Sequence, residues 1–287
     1  MKLFTNHLLN RIIRGINRRL NLIVKKLESF VNDDSIFFEG EKKLVNIGGG
    51  NFDHEKWINL DYSTNWYNKL PKNHLSYDLT SGNEWPLEPN SISCYYTSHV
   101  IEHLPYDNVR LCFENLYKSL KPGGLLRVTC PDASLIYDAV KRNDRSFFAD
   151  QIHYYSEPVN FKHQYKNSLQ KANILELLVD VIATQKCNLR KDSINPIESS
   201  LLKDKFNSLN KNSFLDWLTK GLNFSGDRAG EHITWWDHDK LSNLLNEIGF
   251  KNIVKSGYLQ SKAGEMRIPE LFDSRHPHKS LYIECEK

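Results

Sequence analysis

Short apolar runs alternate with amphipathic helical segments along the chain from Lys43 onward. Strands separated by helices are typical of an α/β sheet with crossover connections. One helix is predicted at residues 109–120, where Pro122 and the following glycines of "KPGG" are expected to end it. The predicted strands lie at residues 44–47, 57–60, 75–77, 92–97 and 125–129.

The strand pattern is absent between residues 133 and 231. The segments "ANILELLVDVIATQ" and "SSLLKDKFNSLNKNSFLDWLTKGL" have helical spacing instead, which predicts a helical insertion that acts as a cap over the substrate. Asp237 is then expected to begin a helix that Gly249 ends, and two further strands form an antiparallel pair. The predicted sheet domain therefore has two parts, residues 41–132 and 232–287.

The first 40 residues are predicted to form a basic amphipathic helix. Over residues 1–31 apolar residues recur at helical spacing, with arginine and lysine between them and Glu28 as the only acid. The helix could pack on the domain or a partner, or residues 1–31 could lie on an anionic membrane surface. The segment has neither the uninterrupted apolar centre nor the cleavage site of a secretory signal, and the chain lacks an apolar run of about 20 residues.

Composition excludes several other classes of protein. The 287 residues carry a formal charge of +3, which is too small to indicate a nucleic-acid partner. Five scattered cysteines suggest neither a disulfide framework nor a zinc site, so a reducing cytoplasm is expected, with peripheral contact at the inner face of the membrane as a further possibility. The oligomeric state stays open.

The predicted strands end in residues that suit an adenosine-containing cofactor. Gly48, Gly49 and Gly50 follow the first strand, where backbone without side chains allows close approach of a ligand. Asp61 ends the second strand and can accept hydrogen bonds from both ribose hydroxyls, and Asp78 follows the third strand, where it can accept from the adenine amino group. Because ligands collect beyond the carboxyl ends of parallel strands, these groups predict one pocket.

Two nucleoside cofactors compete for such a pocket. A dinucleotide fingerprint needs a third glycine where Phe52 and Asp53 stand, and an acid about 20 residues further on, whereas Asp61 comes earlier. The first crossover is also too short for a helix that could bind a pyrophosphate. A phosphate-free cofactor with a sulfonium is favoured, although a nicotinamide-dependent sugar oxidoreductase or epimerase and a non-catalytic scaffold remain alternatives.

The chain resembles the class I S-adenosylmethionine-dependent methyltransferases, specifically the methyltransferase type 11-like group. The resemblance rests on "LVNIGGGNF", "WINLDY", "LSYDLTSGNEWPLEPNSI", "YYTSHVIEHLP", "LYKSLKPGGLLRVTCPD" and the closing "SLYIECEK", in the family's order. It implies a Rossmann-like, mostly parallel sheet with an antiparallel terminal hairpin, and S-adenosyl-L-methionine as the cofactor. The implied cofactor-binding residues are Asn46, Gly48, Gly49, Gly50, Asp61, Asp78, Leu79, Ser98 and His99, with Asn46 in place of the acid usual before the first glycine.

Methyl transfer from a sulfonium mainly requires alignment, and a base is needed when the acceptor must lose a proton. His232, just after the insertion, is the first candidate for this base, and His153 is the second. His232 could equally be a hydrogen-bonded hinge residue. His99 and His103 are four residues apart, but two histidines without a third ligand do not predict a metal. The expected acceptor is a small molecule or glycan, foremost a sugar hydroxyl of a lipid-linked cell-envelope intermediate.

Overall fold

The computed structural model describes residues 43–62, 71–154 and 165–287. The predicted N-terminal helix and its membrane contact fall outside these residues. Within them, no helix has both the length and the apolar character needed to cross a membrane.

The described residues form one seven-stranded sheet with the strand order β3-β2-β1-β4-β5-β7-β6. The first five strands are parallel, and β7 runs antiparallel between β5 and β6. This arrangement confirms the predicted Rossmann-like sheet with an antiparallel terminal hairpin. The strands are β1 (Leu44–Ile47), β2 (Trp57–Asp61), β3 (His74–Ser76), β4 (Ile92–Ser98), β5 (Leu120–Pro131), β6 (Lys251–Lys255) and β7 (Ser280–Glu286).

The predicted end of the helix before "KPGG" is confirmed, because the helix ends at Ser119 and β5 begins at Leu120. Gly123 donates its N–H to the carbonyl of Lys287 (3.1 Å), and the N–H of Lys287 donates to the carbonyl of Gly124 (3.1 Å). Gly123 has a φ of +73°, and the register between β4 and β5 shifts between Leu120 and Leu125, so the strand bends at the glycines where Lys287 pairs with it. A local pattern cannot show this partner, which lies more than a hundred residues away.

Seven α-helices accompany the sheet in the described residues. They are α1 (Tyr106–Ser119), α2 (Ala133–Lys141), α3 (Ala149–Tyr154), α4 (Ile174–Ile182), α5 (Ser199–Ser208), α6 (Lys211–Thr219) and α7 (His238–Ile248). Short 3₁₀ turns lie at Ile101–His103, Arg145–Phe148, Leu169–Lys171, Thr184–Lys186, Gly226–Arg228 and Gly264–Met266.

One face of the sheet is covered by α1 and α7. Phe113 from α1 and Leu244 from α7 are buried in the same cluster as Val45 and Leu126 of the sheet. The start and end of α7 agree with the sequence prediction: the side chain of Asp237 accepts the N–H of Lys240 (2.9 Å), and Gly249 ends the helix with a φ of +115°.

The helices α2–α6 pack around a second buried cluster, formed by apolar residues of α2, α4 and α6 together with Trp235. The indole of Trp235 donates to Asp216 Oδ1 (2.9 Å) on α6. The domain limits set from the sequence, including the insertion of residues 133–231, stay a prediction.

The other face of the sheet is covered by the segment between β6 and β7. Phe272 from this segment is buried against Trp57 and Tyr96. Arg127, in the middle of β5, is fully buried and holds the segment through Asp273, with 2.5 Å between Nη2 and Oδ2. The predicted cofactor-binding residues lie at the carboxyl ends of β1–β4.

Candidate active site

The glycine loop lies at the carboxyl end of β1, as predicted. Gly48 and Gly50 have φ angles of +64° and +55°, which side-chain-bearing residues rarely adopt. The N–H of Gly48 donates to the carbonyl of Leu60 (2.8 Å), and a Cβ atom on Gly48 would collide with the side chain of Val100. Backbone conformation and packing therefore both require glycine at position 48.

Asn59 supports this loop from β2 and was missed in the sequence. Its Nδ2 donates to the carbonyl of Gly50 (2.8 Å), while its Oδ1 has no hydrogen-bond partner among the described residues. A Cβ atom on Gly49 would overlap both Asn59 and the buried amide of Asn46. Two buried amides thus lie directly under the loop. In the sequence, a polar residue in the middle of each apolar strand could have indicated them.

Asp61 lies beside the loop at the end of β2. Its Oδ2 accepts the N–H of Gly50 (2.7 Å), and its Oδ1 accepts the N–H of Tyr62 (2.7 Å). Asp78 follows β3, and its Oδ1 accepts both the N–H (2.8 Å) and the hydroxyl (2.7 Å) of Thr80. The two carboxylates follow neighbouring parallel strands, β2 and β3, as an adenosine pocket requires. Leu79 is partly buried beside them, against the sheet core.

The end of β4 completes this edge of the sheet. Ser98 Oγ lies 2.9 Å from Thr129 Oγ1, and the N–H of His99 donates to the carbonyl of Thr129 (2.9 Å). His99 has a φ of +54°, a left-handed conformation that turns the chain sharply at the strand end. Its imidazole Nε2 lies 2.8 Å from Ser280 Oγ, and its Nδ1 lies 3.0 Å from Glu102 Oε1.

The loop between β1 and β2 fits an adenosyl group without phosphates. Residues 48–56 form turns and contain no helix, so no helix N-terminus offers its amides to a pyrophosphate. The carboxylates of Asp61 and Asp78 would also repel phosphate charge. The same carboxylates are suitable acceptors for hydroxyl and amino groups, which are the polar groups of an adenosine.

Glu102 lies next to these strand ends and is surrounded by imidazoles. Its side chain is 2% exposed, and its Oε1 lies 4.0 Å from His103 Nε2 and 4.0 Å from His232 Nε2. The rings of His103 and His232 have centroids 4.8 Å apart. Together with His99, these residues form what we call the Glu102 cluster. The sequence pairs only His99 with His103, because His232 lies more than a hundred residues further along the chain.

In the Glu102 cluster, the pKa values of Glu102 and His232 both lie below their ordinary values. Burial by itself would raise the pKa of Glu102, but the hydrogen bond from His99 and the interactions with the three nearby histidines outweigh burial and lower the pKa to about 2. Burial, with a smaller contribution from nearby His103, lowers the pKa of His232 to about 4. The cluster therefore holds an ionised carboxylate beside a neutral His232 imidazole near pH 7.

The two proposed bases occupy different environments. His232 is held by contacts to the helical part of the chain, since its N–H donates to Thr184 Oγ1 (3.0 Å) and its Nδ1 is bonded to the carbonyl of Val181. These contacts are compatible with both the base and the hinge interpretations. His153 is exposed in the last turn of α3, and no contact between described residues joins it to the strand ends. Both catalytic roles stay predictions.

Comparison with known proteins agrees with this geometry. Residues 51–128 match the model of a family described as "Methyltransferase domain". No curated protein matches the chain. Similar solved structures include a SAM-dependent methyltransferase from Archaeoglobus fulgidus (11% identity, TM-score 0.41, 92% of this chain and 94% of that chain). Another is an S-adenosylmethionine-dependent methyltransferase from Mesorhizobium loti (14% identity, TM-score 0.36, 86% and 92%).

The matched segment contains Asp61, Asp78, Ser98 and His99. The resemblance seen in the sequence is confirmed over residues 51–128, which match a methyltransferase domain. Its cofactor is S-adenosylmethionine, which supplies an electrophilic methyl group on a sulfonium.

Proposed function

We propose that the protein transfers a methyl group from S-adenosylmethionine to a hydroxyl oxygen of a sugar, in a glycan or lipid-linked intermediate of cell-envelope biosynthesis. The observation that carries the choice of oxygen is the Glu102 cluster. It starts at His99, which is expected beneath the cofactor, and it includes His232, which is bonded to the helical part that is predicted to cover the acceptor.

An oxygen acceptor needs such a cluster, whereas an already nucleophilic sulfur or carbanion does not. A sugar hydroxyl must lose its proton as the carbon–oxygen bond forms, while S-adenosylhomocysteine leaves as a neutral thioether. The Nε2 atoms of His103 and His232 both face Glu102 Oε1. Either imidazole could take the proton, and the ionised Glu102 would stabilise the resulting imidazolium.

The remaining site residues would position the cofactor. Asp61 and Asp78 would hold the ribose and the adenine, while the glycine loop would lie along the methionine portion. Alignment of the methyl group with the acceptor oxygen can supply several kcal/mol of the rate enhancement. We place the reaction in the cytoplasm beside the membrane, with residues 1–31 as the contact. If that placement is correct, a chain lacking residues 1–35 should lose binding to anionic liposomes that the full chain binds.

The first experiment tests the cofactor. Thermal unfolding is measured with S-adenosylhomocysteine and with NADH, each at saturating concentration. We expect a rise in melting temperature with S-adenosylhomocysteine only, because ligands that bind the native state stabilise it by mass action. A rise with NADH alone would favour the oxidoreductase alternative and overturn the proposal.

The second experiment tests the acceptor. The enzyme is incubated with S-adenosylmethionine labelled in the methyl group and with cell-envelope extract, and the labelled product is digested to monosaccharides. Label recovered as an O-methyl sugar supports the proposal. Label found only in protein, nucleic acid or amine-containing small molecules would overturn the acceptor class but would leave the methyltransferase assignment intact.

A further inference from the structure

We infer that Glu102, His103 and His232 form a binding site for a divalent transition-metal ion, represented by Zn²⁺. One carboxylate oxygen and two imidazole nitrogens offer their atoms within 4.8 Å of one another. Two histidines with one carboxylate are a recurrent ligand set of zinc enzymes and of other divalent metals that keep open coordination positions.

The imidazoles are already oriented for a metal. His103 Nδ1 lies 3.0 Å from the carbonyl oxygen of Glu231, and His232 Nδ1 is bonded to the carbonyl of Val181. A carbonyl only accepts, so each Nδ1 must carry the proton, and in the neutral imidazole each Nε2 has its lone pair on the side of Glu102. A backbone carbonyl that accepts from the second ring nitrogen is the usual partner of a metal-bound histidine.

The carboxylate lacks a permanent cation. Glu102 is 2% exposed, and among the described residues its charged partners are His99, His103 and His232, with no lysine or arginine. A buried carboxylate is costly unless it is paired or binds a metal. His103 and His232 turn lone pairs toward it, so a cation between the three side chains would remove an unfavourable arrangement.

The separations fit an ion after a small contraction. Glu102 Oε1 lies 4.0 Å from each Nε2, whereas tetrahedral zinc with bonds of about 2.0–2.2 Å separates its ligand atoms by about 3.4 Å. The His103 and His232 side chains are about one-fifth exposed, so they have room to adjust. His99 would act as a positioning residue, because its Nδ1 lies 3.0 Å from the carboxylate while Ser280 holds its other nitrogen.

When the ion is bound, His103 and His232 are its ligands and do not act as bases, and the ion itself would assist the loss of the acceptor's proton. This consequence rests on the proposed function, whereas metal binding itself does not. A divalent ion beside a hydroxyl acts as a Lewis acid and lowers the pKa of that hydroxyl, so that a strong base is not required.

Metal binding can be measured without activity. Tag-free protein is treated with a chelator, dialysed, and titrated with ZnCl₂ by calorimetry and with CoCl₂ by visible absorption. We expect one Zn²⁺ ion to bind per chain. The Co²⁺ titration should give the visible absorption spectrum of an ion with nitrogen and oxygen ligands. S-adenosylhomocysteine binding by the same sample shows that the protein is folded.

The variants His103→Gln and His232→Gln remove one ligand each and conserve size and polarity. Each should weaken Zn²⁺ binding by at least about 100-fold, the upper end of the loss produced even by removal of an indirect partner of a metal site. The matched control is His238→Gln, because His238 lies on α7 and pairs with the exposed Asp239. The control should bind Zn²⁺ like the wild type.

Two results would overturn the inference. One is unchanged Zn²⁺ affinity in both ligand variants, which would place the ion elsewhere. The other is a wild-type protein that binds S-adenosylhomocysteine but takes up neither Zn²⁺ nor Co²⁺. Labelling of a non-hydroxyl acceptor, by contrast, would overturn the proposed function while leaving the metal site in place.

Discussion

The sheet and the helical part of the molecule each bury an arginine–carboxylate network, but the two networks differ in reach. In the sheet, fully buried Arg127 joins Asp273 (2.5 Å) and Glu284 (3.5 Å), which belong to segments more than a hundred residues further along the chain. In the helical part, Asp180 of α4 accepts from Arg190 Nε (2.5 Å), which is only ten residues away and 16% exposed.

The donors around each carboxylate also differ. Asp180 accepts from two neutral groups, Gln151 Nε2 (2.6 Å) and the hydroxyl of Tyr165 (2.7 Å). Asp273 also has neutral donors, but Glu284 shares the same guanidinium, so Arg127 balances two buried carboxylates. The sheet therefore depends on one cation for its closure. The helical network is local, and neutral donors also stabilise its carboxylate.

Replacement of Arg127 should produce the largest effect. Arg127→Met leaves Asp273 and Glu284 buried without their cation, and loss of one partner of a buried ion pair costs about 3–5 kcal/mol. The free energy of unfolding, measured in urea, should fall by that amount. A loss below about 1 kcal/mol would show that the network does not close the sheet.

Loss of Asp61 should come next and should act on the cofactor rather than on the fold. Asp61→Ala removes the acceptor for the ribose hydroxyls, and hydrogen bonds to a charged group contribute about 1.5–3 kcal/mol each. Calorimetry should show at least about 100-fold weaker binding of S-adenosylhomocysteine. Asp53→Ala, which removes an exposed acid near the same loop, is the control and should bind normally. Equal affinity of both variants would contradict the ribose role.

Replacement of Arg190 is the matched test in the helical part. Arg190→Met leaves Asp180 with its two neutral donors, so we expect a loss of about 1–3 kcal/mol in the free energy of unfolding. The loss of unfolding free energy should be smaller for Arg190→Met than for Arg127→Met. An Arg190 variant that is less stable than the Arg127 variant under the same denaturation conditions would contradict this expectation.

The smallest effect concerns pH and Lys240 of α7. Burial lowers the pKa of Lys240 from 10.5 to about 8, although its Nζ lies 4.0 Å from the centroid of the Trp235 ring, a contact that favours the charged form. Between about pH 8 and 10.5 the unfolded chain then binds more protons than the folded chain, so stability contributed at this position rises with pH.

The measurement compares wild type with Lys240→Met, which cancels the titration of other groups. The difference in unfolding free energy, wild type minus variant, should increase by about 1–2 kcal/mol from pH 8 to pH 10, less than the full shift implies because of the contact with Trp235. A difference that stays constant with pH would contradict the lowered pKa.

The local hydrophobic pattern of the sequence, together with the preferences of single residues, determined much of the fold. The strand at Leu44–Ile47 was predicted with its observed limits, because a short, mostly apolar run that lysines precede and three glycines end is typical of a strand in a sheet covered on both faces. The cap at Asp237 and the end at Gly249 followed from the preferences of single residues. The strand-end positions of Gly48, Asp61 and Asp78 followed from the same pattern, since parallel strands present their carboxyl ends at one edge.

Only the tertiary structure decided which distant residues meet. His232 joins Glu102 and His103 because the chain returns from the helices to the sheet at that point, and Arg127 meets Asp273 because the last loop folds over the sheet. Hydrophobic periodicity records which face of an element is buried, not which polar side chain it will meet there. The positions of Asp61 and Asp78 at one edge of the sheet could therefore be predicted from the sequence, whereas the Glu102 cluster became visible only in three dimensions.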